Sequence, residues 1–260
     1  MSEIAFPARS PSRVVEAVTM STRCVRMSRR QLDSIIMSLM LPVALMLMFV
    51  YLFGGAILPG GKYVSYVVPG VLVLCAGYGA AMTAVSVCLD MTGGIIDRFR
   101  SMDIAGSSLL SGHVVASISR NLVATAAVFG VAFAIGFRPH ASVGAWMASI
   151  GILLAWLLAI SWMAAAIGLV VKSPEAAQGF TFFLMFLPYP SSAIVPIRTM
   201  PGWIQGFARN QPITPVVDSL HNLLLGQPVG NAPWVALAWC AGICVVSIAG
   251  ATALFRRQTT

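Results

Sequence analysis

The stretch YVSYVVPGVLVLCAGYGAAMTAVSVCL, residues 63–89, decides the fold class because it carries no charged side chain. About 20 apolar residues in a helix are enough to cross the hydrocarbon of a lipid bilayer. A second charge-free run, residues 34–61, precedes it and is separated from it by Lys62 alone. The glycines and the proline beside Lys62 favour a tight turn, so the two runs predict a pair of transmembrane helices joined as a hairpin.

The remaining apolar runs extend this pattern to six predicted spans. Hydrophobic residues make up 58% of the 260 positions and charged residues 9%, whereas a soluble domain carries about 25% charged residues. Lipid must therefore be the solvent for most of the chain. We predict an all-α membrane protein whose domain of residues 34–257 holds six transmembrane helices, at about 36–57, 67–89, 116–137, 146–171, 177–196 and 233–255. Arg120, near the start of the third span, is expected to extend to the membrane interface.

The distribution of Lys and Arg predicts the orientation of the spans. An even number of spans puts both termini on one side, and placing them inside assigns twelve of the sixteen positive residues to the inner connections. Cytoplasmic loops of membrane proteins are enriched in these residues. Both termini, including the tail at residues 258–260, are therefore predicted to be cytoplasmic. The same enrichment accounts for the net charge of +8, and no basic stretch is interleaved with aromatics as in a nucleic-acid-binding surface.

The first 33 residues form a basic segment that precedes all of the apolar runs. Residues 12–33 can form an amphipathic helix on the cytoplasmic surface, with valines toward lipid and arginines toward anionic headgroups. A solvated tail is the alternative. The segment lacks the short apolar region and the small-residue cleavage site of a secretory signal.

The connection between the second and third predicted spans is longer than a turn requires. Its apolar side chains recur at helical spacing: Ile95, Ile96, Phe99 and Met102. Charged side chains occupy the other faces: Asp97, Arg98, Arg100 and Asp103. A short amphipathic helix outside the membrane buries its apolar face either on lipid headgroups or in the groove of a cytoplasmic protein. The mixed charge favours a protein partner, because anionic lipid would repel the acids, but composition leaves both interpretations open.

The fifth predicted span and the residues after it are rich in proline. Pro188, Pro190 and Pro196 cannot continue a regular helix without leaving carbonyl groups unpaired. Irregular backbone at membrane depth is tolerated where it is buried in protein or lines a cavity. Beyond it, residues 198–226 predict two short amphipathic helices on the outer face, broken at Pro212 and Pro215. The residues leave two roles open for this region: a structural cap over the bundle, or a gate at the outer end of a pathway.

The chain lacks the side-chain groupings of common enzyme and metal sites. Its aspartates and histidines fall at or outside the predicted span ends, and no His-Glu-x-x-His motif occurs. Gly61-Lys62 lacks the spacing of a phosphate-binding loop. We therefore predict no catalytic residue, no metal site and no cofactor bound by this chain. No ionisable residue is expected in the core of a span, as an ion-coupled carrier would need, so uphill transport would take its energy from a partner.

Several stretches taken together resemble the type-2 permeases of ATP-binding-cassette (ABC) exporters, in particular the daunorubicin-resistance-like branch of drug and lipid exporters. They are the basic N-terminal segment, FVYLFGG at 49–55, YVVPG at 66–70, GGIIDRFRSM at 93–102, RNQPITPVVD at 209–218 and LLLG at 223–226. The chain departs from the family at two points. The usual Leu-Pro after the arginines is Met102-Asp103, and the frequent Arg before Leu-Leu-x-Gly is Asn222.

The resemblance implies a set of partners and site residues. Two permease chains, identical or related, would pair around a pathway above two ABC ATPase subunits, which would bind ATP and Mg²⁺. A coupling segment, residues 94–102, would fit the ATPase groove through Gly94, Ile95, Ile96, Asp97, Arg98, Phe99, Arg100 and Met102. An outer re-entrant helical hairpin would gate the pathway, with Pro188, Pro190, Pro196, Asn210, Gln211, Pro212 and Pro215.

The function implied by the resemblance is export across the plasma membrane. The first, second and fifth spans would line the pathway, and their apolar side chains suit a hydrophobic or amphiphilic drug or lipid taken from the cytoplasm or the inner leaflet. The chain itself would be a transport subunit rather than an enzyme, because ATP hydrolysis would belong to the partner. Export of a lipid-linked glycan is an alternative within the same class, and a non-transporting membrane scaffold is an alternative from another class.

Overall fold

The computed structural model of the chain describes residues 22, 32–57, 63–93 and 106–258. Across these ranges the regular secondary structure is entirely helical. The α-helices are α1 (Leu32–Met48), α2 (Gly54–Ile57), α3 (Tyr63–Thr92), α4 (Gly106–Ala134), α5 (Val143–Val170), α6 (Pro174–Phe186), α7 (Gly202–Asn210), α8 (Ile213–Leu225) and α9 (Ala232–Gln258). A π-helical turn, Phe49–Phe53, joins α1 to α2, and a 3₁₀ turn, Ile197–Thr199, precedes α7.

Five helical stretches within the described ranges are long and apolar enough to cross a membrane. They are Met40–Ile57, Tyr63–Thr92, Leu110–Ala134, Val143–Val170 and Ala232–Leu254. The prediction of an all-α membrane protein is therefore confirmed, and these stretches overlap the predicted first, second, third, fourth and sixth spans.

The fifth predicted span, 177–196, is not one continuous helix. Helix α6 ends at Phe186, and residues 187–194 follow as successive turns. The break begins just before Pro188, where the loss of two backbone donors close together, at Pro188 and Pro190, disfavours a continuing helix. With 13 residues, α6 is shorter than the roughly 20 residues that span the hydrocarbon. A sixth crossing at this position stays a prediction, and so does the cytoplasmic side assigned to the termini.

Helix α3 is the centre of the bundle. It packs against α4, α5, α6 and α8, and also against the first span. Every residue from 67 to 76 is buried, so this part of α3 is enclosed by protein on all sides and has no face toward lipid. The stretch has no polar side chain, which permits full burial, and apart from Pro69 its backbone N–H groups can bond within the helix.

Close packing around α3 depends on small residues. A Cβ on Gly168 of α5 would lie 2.6 Å from the carbonyl oxygen of Ala84 and 2.8 Å from the Val87 Cβ. A Cβ on Gly79 of α3 would collide with the side-chain amide of Asn121 on α4. In membranes helices associate largely through van der Waals contact, so small residues at a crossing let the two backbones approach.

The position of Arg120 differs from the sequence expectation. Helix α4 begins at Gly106 rather than near residue 116, so Arg120 is the middle residue of a 29-residue helix. Its Nη2 donates a hydrogen bond to Thr83 Oγ1 of α3 at 2.9 Å. The basic side chain is therefore directed to the neighbouring helix rather than to a helix end, and an ionisable residue does lie in the core of a candidate span.

Two of the predicted features fall outside the residues that the structure describes. The N-terminal interfacial helix at residues 12–33 lies almost wholly in an undescribed range, as does the coupling segment, residues 94–102, with Gly94, Ile95, Ile96, Asp97, Arg98, Phe99, Arg100 and Met102. The turn around Lys62 is outside the described ranges too. The roles assigned to these residues stay predictions.

The close approach at Gly168 gives a test of the fold. Gly168→Ala should lower the free energy of unfolding by about 1–3 kcal/mol, because the added methyl group overlaps the backbone of α3. Gly151→Ala is the matched control on the same helix, since no atom lies within 4 Å of a Cβ there. The measurement is thermal unfolding in detergent micelles. Equal midpoints for the two variants would contradict the packing of α5 against α3.

Candidate functional site: the cap segment and the central helix

The N-terminal end of α3, predicted to face outward, contacts the proline-rich residues 187–196, which we name the cap segment. Tyr63 Oη donates a hydrogen bond to the carbonyl of Ile194 at 3.1 Å, and Tyr66 Oη donates to the carbonyl of Ser192 at 2.8 Å. Between them, a Cβ on Gly70 would fall on the backbone of Ala193. Three successive residues of the cap segment are thus held against one face of α3.

The prolines explain in part why these carbonyl groups need side-chain donors. A helix through 188–196 would lack the N–H groups of Pro188, Pro190 and Pro196, and the missing N–H of Pro196 is the one that the Ser192 carbonyl would otherwise accept from. Within the segment, Ser191 Oγ donates to the carbonyl of Pro188 at 2.5 Å and accepts from the N–H of Ala193 at 3.1 Å. The tyrosine hydroxyls of α3 supply further donors.

The structure brings several predicted gate residues together. Gln211 is buried, and its Nε2 donates to the carbonyl of Pro190 at 2.5 Å, which ties the start of α8 to the cap segment. Pro196 accepts hydrogen bonds from Thr199 N and Oγ1. Asn210 lies apart from this group, because it is exposed and its Nδ2 donates to the carbonyl of Gly206 inside α7.

Of the two prolines expected to break the outer helices, only Pro212 does so. Helix α7 ends at Asn210 and α8 begins at Ile213, with Pro212 at its N-cap. Pro215 lies in the first turn of α8 and is buried. The expectation for Pro215 is wrong because the first-turn N–H groups of a helix have no carbonyl partner, so proline is tolerated there.

Two titratable side chains of α8, Asp218 and His221, face the same contact, and no role was predicted for them from the sequence. The rings of His221 and Tyr66 meet edge to face, with centroids 5.1 Å apart. The Asp218 carboxylate and the Arg198 guanidinium are close enough to act electrostatically on the Tyr66 hydroxyl. Asp218 and His221 are three residues apart and are the two titratable side chains of α8, and this spacing is the signal that could have indicated them.

Burial perturbs both groups. It raises the pKa of the Asp218 carboxyl above its ordinary 3.8, and the approach of the Ser192 hydroxyl partly opposes that shift. It lowers the pKa of the His221 imidazole below 6.5, an effect that an interaction with the backbone of Tyr66 opposes. Both shifts favour the neutral forms, so the contact between α8, α3 and the cap segment favours an uncharged Asp218 and an uncharged His221.

The described residues hold none of the groupings that metal chemistry requires. Over 22, 32–57, 63–93 and 106–258, no cluster of three or more His, Cys, Asp or Glu side chains could hold a metal ion. The four cysteines in these ranges, Cys75, Cys88, Cys240 and Cys244, are free thiols. The arrangement is one of helix contacts that hold the cap segment against α3 and the start of α8.

Comparison with known proteins identifies the family. The model of the ABC-2 type transporter family matches residues 16–225, which include the first four candidate spans, the cap segment and α8. The chain belongs to the ABC-2 type transporter family. This type-2 ABC permease is a multi-pass protein of the plasma membrane.

Curated relatives place the permease in the drug-resistance branch. It is 28% identical over 222 residues to the daunorubicin resistance ABC transporter permease protein DrrB1 of Streptomyces coeruleorubidus, covering 85% of this chain and 76% of the relative. It is 23% identical over 249 residues to the probable doxorubicin resistance ABC transporter permease protein DrrC of Mycobacterium tuberculosis, covering 95% and 90%. ABC transporter G family member 20 of Dictyostelium discoideum is 20% identical over 203 residues, which is 73% of this chain and 27% of that protein.

The tyrosine contact with the cap segment can be tested by removing one hydroxyl. Tyr66→Phe should lower the free energy of unfolding by about 1 kcal/mol, because the carbonyl of Ser192 loses its donor. Tyr51→Phe is the matched control, since Tyr51 is 72% exposed. Thermal unfolding of the two purified variants measures the difference. A smaller effect for Tyr66→Phe than for Tyr51→Phe would show that this hydrogen bond does not hold the cap segment.

The buried carboxyl predicts a pH dependence with a definite sign. Because the folded pKa of Asp218 is raised, the ionised carboxylate opposes folding, and the loss of stability develops as pH rises from about 3.8 through the raised pKa. Asp218→Asn should therefore unfold at a higher temperature than the parent chain at about pH 7.5, with a smaller gain at about pH 4.5. Glu175→Gln, which removes an exposed carboxyl, should change neither midpoint. A gain that grows on acidification would contradict the assignment.

Proposed function

We propose that this chain is the permease subunit of an ATP-driven exporter that moves hydrophobic or amphiphilic molecules, drugs or lipids, out of the cytoplasm or the inner leaflet. The family match over residues 16–225, together with the daunorubicin and doxorubicin resistance named in its relatives, is the observation that carries the proposal. As a subunit of an ABC exporter, the chain works with an ATP-binding subunit. ATP and Mg²⁺ would bind to that subunit and not to this chain.

The proposed contact with the ATP-binding subunit is the coupling segment. Residues 94–102 connect the C-terminal end of α3 to the N-terminal end of α4, so a force on this segment acts on both helices. Its anchoring side chains would be Ile95, Ile96, Phe99 and Met102, with Asp97, Arg98 and Arg100 fixing the orientation through charge pairs and Gly94 allowing close approach. Burial of an apolar face in a groove supplies the binding free energy.

The proposed pathway lies along faces that the single chain leaves uncovered. Phe180, Phe182 and Phe186 of α6 are exposed, and so are Tyr51, Leu52 and Phe53 at the end of the first span. These apolar faces suit a second permease chain across a pathway for an apolar cargo. The cap segment and the start of α8, with Pro188, Pro190, Pro196, Asn210, Gln211, Pro212 and Pro215, would form the outer gate.

The position of the proposed gate is supported by its contacts. Tyr63, Tyr66 and Gly70 of α3 hold the cap segment through two hydrogen bonds and one close approach. The same helix leads at its other end into the coupling segment. One continuous 30-residue helix therefore connects the proposed ATPase contact to the proposed gate.

Truncating the proposed anchor tests the function directly. Phe99→Ala should reduce recovery of the ATP-binding subunit in a tagged pull-down from gently solubilised membranes, by about tenfold if Phe99 is a hot spot worth at least 1–2 kcal/mol. It should also reduce ATP-driven uptake of daunorubicin into inside-out vesicles. Phe133→Ala is the matched control, because Phe133 is an exposed phenylalanine near the other end of α4.

A second variant separates charge from packing. Reversing Arg98 and Arg100 to Glu should weaken recovery of the ATP-binding subunit, whereas Arg138→Glu, at an exposed position after α4, should not. If the pull-down of the parent chain recovered no ATPase, the exporter proposal would be overturned in favour of a membrane scaffold. Full coupled uptake in the Phe99 and arginine variants would instead refute the assignment of the coupling segment.

A further inference from the structure

Two buried polar side chains join the helices on either side of the coupling segment. Asp90 lies in the last turn of α3, His113 lies two turns into α4, and each residue is 7% exposed. His113 Nε2 and Asp90 Oδ2 are 2.9 Å apart. The pair therefore bridges the two helix ends between which residues 93–105 run.

Buried apolar residues lie within one helical turn of each member of the pair, Val87 before Asp90 and Leu110 before His113. Val87 of α3, Leu110 and Val114 of α4, Leu169 of α5 and Ala251 of α9 form a separate buried cluster at this end of the bundle. Removing an acid and an imidazole from water is costly, and apolar side chains of similar volume often stabilise such a site equally well. A requirement for a fixed geometry between the helices accounts for polar residues here better than stability does.

A second polar contact repeats the first at a spacing that fixes the register. Thr83 is seven residues before Asp90 on α3, and Arg120 is seven residues after His113 on the antiparallel α4. Arg120 Nη2 donates to Thr83 Oγ1 at 2.9 Å. Seven residues are about two helical turns, or about 10 Å, so both contacts lie on the same face of each helix. Two directional contacts fix both the rotation and the axial position of α4 against α3.

We infer that Asp90 and His113 are positioning residues that keep α3 and α4 in one register, so that a force on the coupling segment moves both helices together and reaches the cap segment through Tyr63, Tyr66 and Gly70. The inference rests on the proposed function, because it needs an ATPase to act on residues 94–102. It adds that the pair transmits the movement without contacting cargo or nucleotide. Ser117 Oγ, which accepts a hydrogen bond from Ser161 Oγ at 2.9 Å, joins α5 to the same polar face of α4.

The test uses the assembled complex of permease and ATP-binding subunit in lipid nanodiscs. The variants are Asp90→Asn, His113→Gln and the exchange Asp90→His with His113→Asp, and His140→Gln is the control at an exposed histidine outside the helices. Each variant also carries Thr199→Cys, which places a thiol for labelling beside the cap segment. Cys24 and Cys244 are changed to serine so that they do not react. Cys75, Cys88 and Cys240 are kept, because they are buried. The readouts are recovery of the ATPase, basal ATP hydrolysis, and the change in maleimide labelling at position 199 on adding ATP and vanadate.

The expected result separates transmission from assembly. The two single variants should still bind the ATPase and keep its basal rate of ATP hydrolysis. They should show no ATP-dependent change in labelling at position 199. Their ATP-driven uptake of daunorubicin should fall about tenfold, a size typical of coupling between sites. The exchange should restore both, and His140→Gln should resemble the parent chain. A purely structural role would instead lower recovery of the complex in all pair variants.

Three results would overturn the inference. The single variants could retain the labelling change, the exchange could fail to restore it, or all pair variants could fail to assemble. A parent chain that recovers no ATPase and shows no ATP-dependent labelling would refute the proposed function itself, and the inference with it. The presence of the ATPase on the parent chain thus distinguishes failure of the pair from failure of the exporter assignment.

Discussion

The carbonyl groups of Ser192 and Ile194 lie where no helix supplies their donors, and the hydroxyls of Tyr66 and Tyr63 do so instead. Three prolines within nine residues end a helix that would otherwise continue, and the segment that results is accommodated because protein surrounds it. The rest of the arrangement depends on this contact. It fixes the first turns of α3 against the cap segment, and it requires glycine at position 70, where a Cβ would meet the backbone of Ala193.

Helix α3 is suited to this role by its composition. Residues 67–76 are apolar and other helices enclose them, while Thr83 and Asp90 lie along the face shared with α4. The core of the bundle and the proposed route of coupling are therefore the same helix. A movement at one end cannot be absorbed by loose packing in the middle, because residues 67–76 are buried on every side.

Three pairs of polar side chains join neighbouring helices of the bundle. Asp90 with His113, Thr83 with Arg120 and Ser117 with Ser161 each join two helices. Such contacts are expensive to bury and directional once formed, and so they select one register among many that apolar packing would permit. The cost of burial is also visible beside the cap segment. Burial there raises the pKa of Asp218 and lowers the pKa of His221, so both side chains are shifted toward their uncharged forms.

The sequence by itself determined the helical class of a membrane protein, the rough positions of five candidate spans and the family. Charge-free runs of about 20 residues and clusters of prolines affect the chain locally, so they can be read without knowing what packs against them. The sequence also indicated that no regular helix continues through residues 188–196. It could not show that Pro215 lies inside a helix, that Arg120 reaches Thr83, or that Asp218 and His221 face Tyr66. Those facts depend on where one helix begins and on which face it turns to its neighbour. Only the tertiary structure decided them, because contacts between residues far apart in the chain arise from packing, and apolar periodicity alone does not specify which helices meet.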